Sequence, residues 1–363
     1  MRSRDAKATA HAQPWTAAAP TLCAVAARLL ALFAAVAMVV GSLAVRSRLD
    51  ESSDGGGGGN GGGELRLVCS TELASVCEAL DKDFAVSVEP TGITADRLAK
   101  APDGPASLDG WLVPSPWPEI VRGARQRSGL APVLDTEGPP LARSPLVLAV
   151  WPDQAAVLRQ RCPEGQITWR CWGDLAGQGQ IKPGHAEVNE AVGLATVGAA
   201  TASYFANRPD LARADLEDND EYRSWLGRLE SSVRNFRPVS GTALRDVLVK
   251  GPVEFDAVGT TEAEAAPLVA AAARPVKPTV IYPSPVTTVD VVLATVPGSR
   301  SKRLSAAVGG DAGLDALAAS GWRVPKRRPA NGIPSQPELP PSSGLPDAGI
   351  LDFLRTLSKE VTR

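Results

Sequence analysis

The hydroxyls of Ser70 and Thr71 follow a short apolar run, Leu65, Leu67 and Val68, and precede a stretch with helical spacing. Hydroxyls at a helix start, beside backbone amides that lack intrahelical partners, suit hydrogen bonding to an anion or a polar small molecule. The plainer reading of the same pair is a helix cap. Ser115, held between Pro114 and Pro116, repeats the arrangement after a second apolar run. Chemistry beyond hydrogen bonding finds few residues. The chain has two histidines, His11 and His185, and no G-x-S-x-G, H-E-x-x-H, P-loop or C-x-x-C pattern. Nucleophilic, zinc-hydrolytic and phosphoryl-transfer reactions are therefore without their usual groups. The residues point to holding a ligand rather than converting it, with no cofactor, no metal and no enzymatic activity expected.

The elements that position these hydroxyls read as α/β. Leu73, Val76, Cys77 and Leu80 recur at i, i+3, i+4 and i+7, one face of a helix. Strands are expected at Phe84–Val88, Gly110–Val113 and Pro145–Trp151. A small helix is expected around Ala95–Lys100 and a longer one over Trp117–Gln126, with proline in its first turn. Near-continuous apolar strands between helices imply a mainly parallel sheet.

Beyond Pro152 the character changes. Helices are expected at Gln154–Gln160, at Glu190–Asn207, over the acidic stretch Leu211–Leu229 and at Ala243–Val249, whereas Cys162–Trp172 reads as a loop. The second of these is built of small residues, and Gly193, Ala199 and Ala200 let it approach its neighbours closely. Val253–Gly259, Thr279–Tyr282 and Val286–Val296 read as strands, and Leu314–Trp322 as the last globular piece. Pro325–Pro346 carries seven prolines, as an extended wrap or a loose tail. Asp347–Glu360 reads as an amphipathic helix, with Ile350, Leu351, Phe353, Leu354 and Leu357 on one side, that docks on its own domain or waits for a partner.

The 363 residues leave room for two lobes. Net charge is −2, and no basic run with interleaved aromatics occurs, so nucleic acid is not an expected partner. Leu29–Val45 is apolar or small throughout, flanked by Arg28 and by Arg46 and Arg48. That length is near the minimum for a membrane span, and the basic bias ahead of it places residues 1–28 in the cytoplasm and the rest outside. Ser42-Leu43-Ala44 also has the form of a cleavage site, so release is the alternative to an uncleaved signal anchor. Residues 46–63, with GGGGGNGGG at Gly55–Gly63, form a flexible linker with a reach of roughly 25 Å. Cys23 precedes the anchor core; Cys69 with Cys77 and Cys162 with Cys171 form two close pairs. Outside the cell such pairs suggest disulfides, each contributing roughly 2–3 kcal/mol on a chain-entropy model, with four buried thiols as the alternative.

In order along the chain, LRLVCSTELASVCEAL, DGWLVPSPW, LARSPLVLAV, IKPGHAEVNEAVGLA, VEFDAVGTTEAEA and YPSPVTTVDVVLATVPG resemble landmarks of type 2 periplasmic substrate-binding proteins, in particular the molybdate-like actinobacterial branch. The resemblance covers about residues 64–325. It implies an α/β fold of two lobes with a hinge, behind the N-terminal transmembrane helix: lobe I from 64–150 and 260–325, lobe II from 151–259, and a tail over 326–363. It also implies a cleft lined by Ser70, Thr71, Ser115, Arg143 and Ser144 from the first lobe. From the second it implies His185, Asn189 and Glu190, then Ser240 and Thr242, with Tyr282 at the return. A carboxylate such as Glu190 fits poorly with a bare oxyanion. The implied function is a membrane-tethered, extracellular solute-binding protein for a small polar or anionic ligand, with an ABC permease as partner. The alternative is a cell-envelope interaction or sensor protein that reuses the fold.

Overall fold

The computed structural model describes residues 64–80, 82, 84–102, 107–136, 138–233, 242–334 and 344–362. The expected anchor at 29–45, the linker, Cys23, Ser240 and the middle of the proline-rich stretch lie outside the described residues. Among the described residues no helix is long and apolar enough to cross a membrane.

The first lobe opens with β1 (Arg66–Ser70), a single 3-10 turn at Thr71–Leu73 and α1 (Ala74–Leu80), followed by β2 (Ala85–Glu89) and α2 (Thr91–Lys100). β3 (Gly110–Pro114) and α3 (Trp117–Arg127) repeat the unit, and β4 (Asp135–Thr136) is a short edge piece. The face of α1 is the expected one: Leu73, Val76, Cys77 and Leu80 are all buried. They share a core with Leu67, Cys69, Leu112 and Trp322.

β5 (Ala142–Val150) then leaves this lobe. Its first half pairs with β9, and its second half, from Leu146, pairs with β7 and β8. The second lobe contains α4 (Pro152–Arg161), α5 (Trp169–Gly177), β6 (Pro183–Gly184) and α6 (Ala191–Tyr204). Then come α7 (Arg213–Glu217), α8 (Asp220–Ser232), α9 (Thr242–Lys250), β7 (Ala257–Thr261), α10 (Glu262–Ala271) and β8 (Thr279–Ile281). β9 (Thr288–Thr295) carries the chain back to β3, and α11 (Ser299–Val308), α12 (Asp311–Ala319) and α13 (Ala348–Val361) complete it.

Several sequence expectations change in this frame. The strand order β2-β1-β3-β9-β5-β7-β6 is mixed, with β1–β2, β1–β3 and β6–β7 parallel. The antiparallel pairs all involve β5 or β9, the strands that pass between the lobes, and their apolar runs carry no mark of direction. Residues 260–281 were expected in the first lobe. β8 pairs with the outer half of β5, so α10 and β8 stand with the second sheet. Part of the expected loop at Cys162–Trp172 is helix, because Thr168 caps the Cys171 amide (3.0 Å) and buries Trp169, Trp172 and Leu175 on one face. The acidic stretch is two helices, split where Asn219 caps α8 through the Tyr222 amide at 2.9 Å. The strand expected from Val253 begins at Ala257. Both close cysteine pairs, Cys69–Cys77 and Cys162–Cys171, are disulfides.

α6 is buried along nearly its whole length, which its small side chains allow. At Gly193 the reason for glycine is close approach: a Cβ there would lie 2.1 Å from the Glu187 carbonyl oxygen. After Trp322, Val324 packs in the first-lobe core and Gly332 lies against Ala266 and Ala270 of α10. α13 docks through Ile350, Leu351, Leu354 and Leu357, all buried. Its start is capped by Asp347, whose Oδ1 accepts from the Ile350 amide at 2.9 Å. Asp347→Ala is expected to cost about 1 kcal/mol of stability by denaturant titration. A loss under about 0.3 kcal/mol would show that tertiary packing alone holds this helix end.

Candidate functional site

The sequence of β1 and its turn delivers Thr71 and Glu72 to the gap between the lobes. The Cys69–Cys77 disulfide ties the end of β1 to the middle of α1 and so brackets this turn. Across the gap stands the start of α6. The Thr71 hydroxyl donates to Glu190 Oε2 at 2.5 Å, and Glu72 Oε1 accepts from the Val192 amide at 3.1 Å. The Gly92 amide donates to the Asn189 carbonyl at 2.7 Å. The lobes therefore touch, and a side-chain carboxylate of the first lobe occupies the N-terminus of a second-lobe helix, where the helix dipole favours negative charge.

Beside this contact lies a cavity of about 430 Å3 with walls from both lobes. Thr71, Glu72, Ser75 and Glu78 face Arg245 of α9, Thr261 at the end of β7 and Glu264 of α10. Glu72 and Glu264 are half-buried, enclosed by protein yet reached by solvent through the gap. Burial raises the Glu72 carboxyl above its ordinary value, against amide and hydroxyl donors that include Val192 and Ser70. Burial, then the charge of Glu72, pushes Glu190 up to about 8. Glu264 is pushed up to about 7, mainly by burial, with the Thr260 hydroxyl bond working the other way. Three carboxyls with depressed acidity thus share one gap. Arg245 is the cation lining it.

The residues expected at the cleft divide into those the fold brings there and those it uses elsewhere. Ser70 is buried at the end of β1, and Thr71 lines the gap. Ser115 donates its backbone amide to the Asp290 carbonyl at 2.7 Å in the β3–β9 region. Arg143 is ion-paired with Asp290 at 3.3 Å, and its backbone bridges Arg323, so it ties strands together. Ser144 is fully buried, and its hydroxyl accepts from the Ala263 amide at 2.9 Å, capping α10. Tyr282 donates its hydroxyl to the buried Glu262, which is also held by Arg323. His185 departs furthest from expectation. It is 1% exposed, its Nδ1 donates to the Ala186 carbonyl at 2.7 Å, and its Nε2 lies 3.3 Å from Glu230. Burial alone would lower its pKa, but the Glu230 carboxylate outweighs this and raises it. It is a core histidine of the second lobe. Asn189 does reach the lobe contact, where its side chain accepts from Lys359 at 3.2 Å. Thr242 begins α9.

Sequence reasoning passed over Glu72, Arg245 and Glu264. Glu72 had a signal, an acidic residue in the first turn after the hydroxyl pair. Arg245 and Glu264 had none, because only the tertiary fold turns α9 and α10 toward α1. Among the described residues no group of three or more His, Cys, Asp or Glu is placed to hold a metal ion.

No protein-family model matches the chain, and no curated protein matches it in sequence. Solved structures do match in fold. The periplasmic binding protein AfuA from Actinobacillus pleuropneumoniae, with fructose-6-phosphate bound, superposes with a TM-score of 0.53 at 12% identity, over 83% of this chain and 97% of that one. The ferric binding protein from Campylobacter jejuni gives 0.54 at 8% identity, over 82% and 98%. A periplasmic thiamin binding protein gives 0.54 at 10%, over 84% and 98%. At such identities the likeness establishes the fold: α/β, two-lobed, of the type 2 periplasmic-binding-protein kind.

Proposed function

We propose that this chain is a membrane-tethered extracellular solute-binding protein that captures a small polar molecule between its lobes and serves an ABC-type importer. The observation that carries this reading is the cavity of about 430 Å3 walled by Thr71 and Glu72 on one side and Arg245 and Glu264 on the other. Concave sites at domain boundaries, with a few convergent polar groups, are where small ligands are usually held. The neighbours in fold are named for fructose-6-phosphate, ferric and thiamin binding, which supports capture without choosing the ligand. Glu72, Glu78 and Glu264 against one arginine argue for a ligand with a cationic or donor-rich group, and against a bare oxyanion such as molybdate. The tether rests on Leu29–Val45 and its flanking arginines.

A thermal-shift panel tests this. It should contain molybdate, sulfate, sugar phosphates, amino acids, and amines including thiamin. A ligand present at about 100 times its Kd adds about 2.7 kcal/mol, a rise of roughly 5–10 °C for a body of this size. The expected responders carry an amine, and Glu264→Gln is expected to abolish their shift. No response across the panel would sink the capture reading.

A second reading, a cell-envelope interaction or sensor protein that keeps the fold without capture, is favoured by one contact. Glu72 already fills the start of α6 through the Val192 amide. A chain that supplies its own carboxylate there has less need of an anionic ligand.

A further inference from the structure

The lobes are joined by more than their two strand crossings. α13 lies across both of them. On the first lobe, Asp352 pairs with Arg127 of α3, and Arg355 pairs with Asp96 of α2 at 3.0 Å. The Arg355 guanidinium also stands 4.8 Å from the ring centroid of Trp117. On the second lobe, Leu351 fills the space over Gly198 of α6, where a Cβ would come within 2.6 Å of its methyl. Val361 lies against Gly227 of α8, and Arg213 of α7 stacks on Phe353 at 4.4 Å. Asn189 joins the two sets: its side chain accepts from Arg355 at 3.4 Å and from Lys359 at 3.2 Å, while its backbone carbonyl accepts from Gly92.

We infer that α13 is a clasp that holds the lobes together without a ligand, with Arg355 as its pin. Buried apolar residues anchor the helix against the second lobe, and two ion pairs reach to the first, each with its first-lobe partner open to solvent: Arg127 is 59% and Asp96 55% exposed, while Asp352 and Arg355 are largely covered. That division has a physical consequence. Leu351, Leu354 and Leu357 are buried, and that apolar burial keeps the helix docked. Ion pairs whose first-lobe partner stands in solvent are weaker ties than buried apolar packing, so the links to the first lobe can break and re-form while the helix stays in place. Opening of the cleft therefore requires the first lobe to part from Asp352 and Arg355. Closure is set by the chain's own end and not by ligand alone. The clasp would regulate the capture site proposed above, yet its test involves no ligand, so a silent ligand panel and a failed clasp are separate results.

The test is hydrogen exchange followed by mass spectrometry on the full-length chain in detergent micelles. Two variants are compared with wild type: Arg355→Ala, and the double variant Asp96→Asn with Arg127→Gln. In the double variant both changed side chains are more than half exposed, which spares the core. The reporters are the amides of Gly92 and Val192, whose hydrogen bonds cross between lobes. Exchange at both is expected to rise severalfold in the double variant and about tenfold or more in Arg355→Ala, with β1 and β5 as slow as in wild type. Unchanged exchange at Gly92 and Val192 in the double variant overturns the clasp, whatever Arg355→Ala does. A uniform rise through β1 and β5 in the double variant also overturns it, since those contacts would then support the fold and not the closure.

Discussion

Arg323→Met is expected to cost about 3–5 kcal/mol of stability, because it leaves the Glu262 carboxylate buried without its cation. Glu262 has no exposed side-chain surface, and Arg323 is only 11% exposed. The guanidinium holds both carboxylate oxygens, at 2.6 and 2.9 Å, and the Tyr282 hydroxyl donates to the same group. The Arg323 backbone pairs with Arg143 on β5, so this ion pair sits where the strand leaves one lobe for the other. Methionine keeps much of the length of arginine and removes the charge. The double variant Arg323→Met with Glu262→Gln should recover much of the loss, since no carboxylate is then stranded. Guanidinium unfolding midpoints with unchanged slopes are the measurement. A loss below about 1 kcal/mol for the single variant would mean that water reaches Glu262 and the pair contributes little.

Glu190→Gln should stabilise the protein at pH 8 and leave it almost unchanged at pH 5. In the folded chain Glu190 is pushed up to about 8 from 4.5, by burial and then by the charge of Glu72. Between those two values the folded protein keeps a proton that the unfolded chain has released. Stability therefore falls as pH rises from about 4.5 to about 8, and flattens above. Each pH unit of that window is worth at most about 1.4 kcal/mol. Glutamine carries no such dependence and still offers an oxygen to the Thr71 hydroxyl, the partner of Glu190 in the folded chain. The expected gain in Tm at pH 8 is roughly 5 °C, and near zero at pH 5. A slope from Glu264, raised to about 7, should persist in the variant. If variant and wild type differ by the same amount at both pH values, the shared carboxyl gap is not the source of the pH dependence.

The first hydroxyl turn was legible from local order: an apolar run, two hydroxyls, then apolar residues at helical spacing. So were the strands Gly110–Pro114 and Ala142–Val150, whose burial makes them apolar on both faces. His185 misled because a polar residue at a loop reads alike whether it faces a cleft or a buried partner, and Glu230, which decides the matter, is 45 residues away in sequence. Ser144 and Tyr282 misled in the same manner. Their hydroxyls serve the amide of Ala263 and the carboxylate of Glu262, both distant in sequence.

By itself the sequence determined the alternation of strands and helices and the position of the first hydroxyl turn, and it grouped four cysteines into two close pairs that the structure shows as disulfides. These depend on contacts within about ten residues, where spacing and residue type are sufficient. Only the tertiary structure decided that β5 and β9 run antiparallel to their partners, that α10 stands with the second lobe, and that Glu72, Glu190 and Glu264 meet across one gap. It also decided that the last helix lies over both lobes. Those outcomes depend on pairings more than 100 residues apart, and on a carboxylate being costly to bury until the fold supplies its donors.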